Sequence, residues 1–209
     1  MSRNRAPRRR SYRRRAALLT AVVGAGALTL SACSESGASG GKSGSSGNTN
    51  FVTGSDGIST VKKADRKAAP KLDGETLDGG RLDVTALKGK VVVLNVWGSW
   101  CPPCRAEAPH FAKVAKETKS KGVEFVGINT RDETKQPAIA FEEKFGVEYP
   151  SLYDPIGKLM LRFPKGTLNP QAIPSTIVLD KDGKIAARTL AAIDDKKLHK
   201  IIDPLIAEK

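Results

Sequence analysis

An α/β fold is predicted for this chain by three observations. Strand and helix signals alternate along its last two-thirds, the most apolar strand runs directly into a helix-patterned segment, and no internal repeat is evident. From residue 55 to 209 there are roughly 155 residues, enough for one domain with a sizeable core.

In chain order, Leu72 to Leu87 carries Asp-Gly and Gly-Gly turns and predicts a short N-terminal hairpin. Val91 to Trp97 is apolar and β-branched, the pattern of a central strand buried on both faces. From Pro102 to about residue 120, Ala106, Ala108, Phe111, Ala112, Val114 and Ala115 recur at helical spacing. Val123 to Asn129 reads as a second central strand, and 136–146 as a helix with Ala138, Ile139 and Phe141 inward and Gly146 as its stop. Pro150 to Tyr153 predicts a short strand, followed by a helix-like stretch at 157–163. Ser175 to Asp180 and Ile185 to Thr189 flank an Asp-Gly turn and form a hairpin. Asp194 to Ala207 closes the chain as an amphipathic helix that Pro204 is expected to kink or shorten.

The N-terminus sets the expected location. Residues 1–15 hold eight arginines and no acid, and the 17 residues from Ala16 to Ala32 carry no charge. That apolar stretch is short for a membrane span and suits a secretory signal. Leu30-Ser31-Ala32-Cys33 resembles the lipobox of bacterial lipoproteins, which implies cleavage after residue 32 and a lipid on Cys33. Arg14-Arg15 only faintly resembles a twin-arginine export signal, so Sec export stays equally open. The predicted organisation is a signal peptide at 1–32, a lipidated cysteine with a flexible linker at 33–54, and a domain at 55–209. Ser34 to Asn50 is almost wholly Ser, Gly, Asn and Thr, a coil with a reach of roughly 20–25 Å. The formal charge of +13 falls to +5 once residues 1–15 are set aside. A nucleic-acid partner is therefore not expected.

Chemistry concentrates in Trp97-Gly98-Ser99-Trp100-Cys101-Pro102-Pro103-Cys104. The two cysteines fall where a buried strand turns into a helix, near free N–H groups and the positive end of the helix dipole. That setting lowers a thiol pKa, and the thiolate is the reactive form. A dithiol/disulfide switch follows, with Cys101 the exposed nucleophile and Cys104, one turn on, the more buried resolving thiol. Pro102 and Pro103 have no N–H, so Cys101 must rely on later donors such as Cys104, and its pKa is expected to fall only moderately. Trp97 is assigned to the core and Trp100 to an apolar rim for a docking partner. A structural zinc site needs four ligands, and only Cys33, His110 and His199 remain as further cysteines or histidines. No metal is expected, and both histidines read as helix-surface residues. Gly127, Asn129, Arg131 and Asp132 leave a strand end with no assigned chemical role.

Trp-Cys-Pro-Pro-Cys at a strand–helix junction, with Ile173-Pro174-Ser175-Thr176 leading into a hairpin, resembles the thioredoxin superfamily. More narrowly, the chain is similar to the membrane-tethered TlpA/ResA-like thiol-disulfide oxidoreductases. Leu87 to Trp97 matches that family's first central strand, and Cys-x-x-Cys-x-x-Glu-x-Pro is matched through Pro109. The resemblance covers nearly all of 70–209. It implies a thioredoxin-like fold with an N-terminal hairpin extension and a central helix/strand insertion at about 132–165. It also implies a cis Ile173–Pro174 bond that faces the disulfide and offers its backbone to a bound peptide. Ile173 and Trp100 are thus expected to contact substrate, with Pro174 beside the cysteines.

The same resemblance links Glu107 to the redox site. A buried carboxylate there would have a raised pKa and could hold or pass the proton of Cys104. The other reading is an exposed acid complementing the helix dipole. The activity implied is reduction of disulfides in exported proteins, including apocytochrome c, by a lipid-anchored extracytoplasmic enzyme. Its partners would be protein thiols and disulfides and a membrane-embedded reductant donor, and it needs no cofactor beyond the Cys101–Cys104 disulfide. Two alternatives remain: an oxidant or isomerase using the same site, and a Cu(I)-binding chaperone using the cysteine pair. A peroxiredoxin-type peroxidase is disfavoured because Trp-Cys-Pro-Pro-Cys stands where those enzymes use Thr-x-x-Cys.

Overall fold

The structure, a computed structural model, describes residues 49–208. The predicted leader, Cys33 and most of the linker lie outside the described residues. Among the described residues no helix is long and apolar enough to cross a membrane.

Nine strands and three α-helices are described: β1 (Val52–Thr53), β2 (Ser59–Thr60), β3 (Asp73–Glu75), β4 (Arg81–Asp83), β5 (Val91–Trp97), α1 (Pro102–Thr118), β6 (Val123–Thr130), α2 (Lys135–Phe145), β7 (Ser151–Asp154), β8 (Ser175–Leu179), β9 (Ile185–Thr189) and α3 (Asp195–Ala207). Seven of the strands form one sheet in the order β1-β2-β9-β8-β5-β6-β7, and β3 pairs with β4 separately. β5, β6 and β7 run parallel, while β8 and β9 return antiparallel as a hairpin. This is the expected thioredoxin-like α/β fold with its extensions. β3–β4 is the N-terminal hairpin, and α2 with β7 supplies the central insertion.

Every residue of β5 is buried, because both faces of the sheet are covered. Successive side chains point to opposite faces and feed two apolar layers. Val92, Leu94 and Val96 pack with Leu72, Ile128, Leu152 and Ile177 on one face. Val91 and Val93 pack with Phe111 and Val114 of α1 and Leu198 and Ile202 of α3 on the other. At the C-terminal end of β5 a third cluster gathers Trp97, both cysteines, Leu77, Ala108, Ala138 and Phe141. This third cluster carries the site.

Three expectations need adjusting. The sheet begins at Val52, ahead of the boundary near residue 55, and Phe51 is already in the core. Arg66 ties this N-terminal part to the chain's end, bonding both carboxylate oxygens of Glu208 (2.6 and 2.7 Å) and Asp180 (3.1 Å). Residues 157–163 form only a single 3-10 turn at Met160–Arg162. Gly157 takes a left-handed φ of 73° and Pro164 follows, so the apolar spacing has no room to become an α-helix. Finally, α3 continues past Pro204 to Ala207. The proline sits so near the helix end that little of the ladder is lost.

Candidate active site

The parallel pairing of β5 with β6 brings the Gly98-Ser99-Trp100 turn beside the end of β6, where Trp97 lies opposite Asn129. A Cβ on Gly98 would lie 2.5 Å from Trp100 Nε1 and 3.0 Å from the Thr130 carbonyl, so only glycine fits this turn. Cys101 then caps α1 in an extended conformation, and Pro102 and Pro103 occupy the first helical positions, where a missing N–H costs least. The Cys104 N–H donates to Cys101 Sγ at 3.2 Å, the donor expected once both prolines are excluded. Cys101 and Cys104 are joined in a disulfide.

The expected difference in exposure is absent. Cys101 and Cys104 are each 1% exposed. Cys101 is roofed by the Ile173–Pro174 segment, whose Ile173 carbonyl oxygen lies 3.7 Å from its sulfur. The Ile173–Pro174 bond is cis. Pairing of Val96 with Ser175 sets this segment against the end of β5, so the sheet itself delivers Pro174 to the disulfide.

Glu107, one turn beyond Cys104, is 2% exposed rather than displayed at the helix surface. Asn95 Nδ2 donates to its Oε1 at 2.8 Å, and the Ile193 N–H donates to its Oε2 at 3.2 Å. Burial pushes its carboxyl up to about 8, and these two bonds pull the other way without offsetting it. A cavity of about 260 Å³ opens beside it, lined in part by Glu107, His110, Ile193 and Lys197. Asn95 received no role from sequence, yet a polar residue inside an apolar strand was a signal that its side chain had a buried partner.

Asp132 is the second residue that sequence reasoning passed over. It is buried, and it accepts from the Ser99 N–H (2.9 Å), the Ser99 hydroxyl and Asn129 Nδ2 (2.6 Å). The turn leading into Cys101 is thus stapled to the end of β6. Asp132→Ala would leave these donors unpaired and should lower stability by about 2 kcal/mol, read as a shifted urea midpoint. A change within about 0.5 kcal/mol, the range of an ordinary surface substitution, would show that the staple holds nothing.

The tryptophans divide by burial. Trp97 is buried and stacks on Phe141 at 4.4 Å between centroids. Trp100 is 46% exposed, with its Nε1–H donating to the Thr130 carbonyl (3.2 Å). His110 lies 3.7 Å from Asp195, and His199 sits between Glu117 and Asp203, which raise its pKa. Among the described residues no group of three or more His, Cys, Asp or Glu side chains is arranged to hold a metal ion.

Residues 63–202 match the family described as Redoxin. A thiol-disulfide oxidoreductase ResA of Bacillus thuringiensis (strain Al Hakam) is 33% identical over 133 residues, 64% of this chain and 73% of that protein. Among solved structures, a DsbF homologue from Corynebacterium diphtheriae is 35% identical with a TM-score of 0.67, over 73% of this chain and 95% of that one. A secreted thiol-disulfide isomerase from Corynebacterium glutamicum is 32% identical with a TM-score of 0.69, over 73% of this chain and 93% of its own.

Proposed function

We propose, for a chain that belongs to the Redoxin family and is related to the ResA-like thiol-disulfide oxidoreductases, that it reduces disulfides in exported proteins from a lipid anchor on Cys33. The observation that carries the reading is the Cys101–Cys104 pair at a helix start, facing the cis Ile173–Pro174 segment beneath the Trp100 rim. The leader and Leu30-Ser31-Ala32-Cys33 support export and anchoring. The Cys-x-x-Cys-x-x-Glu-x-Pro match from Cys101 to Pro109, a resemblance to the TlpA/ResA-like family, supports the reductive direction, with apocytochrome c among the substrates and a membrane-embedded donor to re-reduce the pair.

In the reduced state the Cys101 thiolate attacks a substrate disulfide, and one substrate sulfur leaves as a thiolate that takes a proton. Cys104 then attacks the Cys101 sulfur of the mixed disulfide and releases the second substrate thiol. Two electrons and two protons pass to the substrate, and the protein is left as the disulfide. Before that attack Cys104 must lose its proton, and Glu107, held near pH 8, is the proposed acceptor. Asn95 and the Ile193 N–H fix the carboxylate in place.

A Cys104→Ala variant should accumulate mixed disulfides at Cys101, and the captured proteins name the substrates. Capture of none by the membrane-anchored variant would overturn the reading. An oxidant or isomerase is the second reading, favoured by the likeness to the Corynebacterium glutamicum isomerase. A measured reduction potential separates the two, since about 30 mV moves a two-electron equilibrium tenfold.

A further inference from the structure

Two arginines flank the redox pair without counter-ions. Arg105, on the exposed side of α1, donates from Nη1 to the Ser99 carbonyl at 2.7 Å. Arg131, beyond the end of β6, donates from Nη2 to the Pro170 carbonyl at 2.7 Å and lies 5.8 Å from the Trp100 ring centroid. Arg105 also lies 5.9 and 5.6 Å from the Phe141 and Phe145 ring centroids. Each guanidinium is thus held by one backbone carbonyl and aromatic faces, and its remaining N–H groups have no hydrogen-bond partner among the described residues. Neither side chain makes an ion pair there, whereas Lys135 nearby pairs with Glu75. The carboxylate beneath them, Asp132, spends its oxygens on Ser99 and Asn129. Glu133 follows in the chain and joins neither arginine.

The backbone at Arg131 adds a second observation. Its φ is 59°, in the left-handed region that favours glycine, and its N–H bonds the Pro155 carbonyl at 3.2 Å. A long cationic side chain thus occupies a position where the backbone alone would favour none. Its side chain joins the Trp100 turn to the 170–174 approach to Pro174, and its backbone N–H ties on the Pro155 turn bearing Ile156, which is 69% exposed.

We infer that Arg105 and Arg131 select substrate segments in which the reacting cysteine is flanked by acidic residues, with Trp100 and Ile156 taking the neighbouring apolar side chains. An unpaired guanidinium presents a fork matched to a carboxylate. Such charges at a rim act chiefly on encounter and on rejection of the wrong partner. The inference rests on the exchange function proposed above and names the kind of segment that the same site takes.

The test uses the full-length reduced protein and three peptides, each carrying one cysteine as a neutral 2-thiopyridyl disulfide. Two glutamates, two glutamines or two lysines flank that cysteine. Exchange oxidises Cys101 and Cys104 to their disulfide and releases the peptide thiol and pyridine-2-thione, whose absorbance gives the rate. The glutamate peptide should react about tenfold faster than the lysine peptide at low salt, and the ratio should narrow as salt screens the charges. Arg105→Gln with Arg131→Gln should bring the ratio near one, and Arg105→Glu with Arg131→Glu should reverse it. Arg131→Gly, which keeps the left-handed backbone, should act like Arg131→Gln, separating charge from backbone geometry. A wild-type ratio near one, or a ratio that these variants leave unchanged, would overturn the inference while exchange itself stands. Failure of all three peptides to release pyridine-2-thione would instead sink the exchange function.

Discussion

Glu107→Gln should make the stability curves of variant and parent cross as pH rises. In the folded protein, burial holds the Glu107 carboxyl near 8, whereas its ordinary value is 4.5. Between those values the folded state keeps a proton that the unfolded chain has released, so stability falls as pH rises through the window. A rise of that size corresponds to about 5 kcal/mol. At pH 5 the variant should be about 1 kcal/mol less stable, because its amide places a donor where the Ile193 N–H needs an acceptor. Near pH 9 it should be the more stable of the two, since the parent then buries a charge. Glu142, raised to about 7 by burial, pulls both curves down in the same direction and cancels in the difference. Urea unfolding of the oxidised proteins at a series of pH values checks this. Parallel curves would mean that Glu107 ionises like a surface acid, and its proposed part in handling the Cys104 proton would go with it.

Gly127→Ala should be among the most damaging single-methyl changes in the protein. Gly127 lies in β6 between Asn95 and Ser151 on the neighbouring strands. A Cβ there would stand 2.0 Å from Ser151 Oγ and 2.7 Å from Trp97 Nε1, well inside any real contact. Ser151 cannot simply retreat, because its carbonyl accepts from the Leu77 N–H at 3.0 Å and the adjoining Pro150 carbonyl accepts from Gly127 itself. Overpacking of this kind should cost about 3 kcal/mol. Adding Ser151→Gly removes the two closest obstructions on that strand and should recover part of the loss. Thermal melts of the single and double variants read both effects. A Gly127→Ala protein within about 0.5 kcal/mol of the parent would show that β7 yields easily.

These two residues mark how far the sequence could be read. β5, the Cys101–Cys104 turn and α1 were legible because each is specified by neighbours in the chain: a continuous β-branched run, two prolines at a helix start, a helical apolar period. The same local logic ended α2 at Gly146, which takes the left-handed conformation there. What was not legible depended on distant partners. The burial of Cys101 is set by Ile173, 72 residues later. The Asn95–Glu107 pair and the Asp132–Ser99 staple join separate elements, and nothing in either local stretch announces the other. β1 and β2 are two residues each, too short for any period to register. At 157–163 the apolar spacing was real, but it serves packing against Leu72 and Ile177 in an irregular segment.

Those short first strands have a consequence unrelated to thiols. Without them β9 would be an outer strand, its amides and carbonyls free to template a second chain. β2 covers that row at Arg188 and Ala187, and β1 covers β2 in turn. The outermost position therefore falls to a two-residue strand, a poor surface on which to propagate a sheet. On the exchange function proposed above, which brings this protein against other polypeptides, so short an outer strand would guard against self-association and co-aggregation with them.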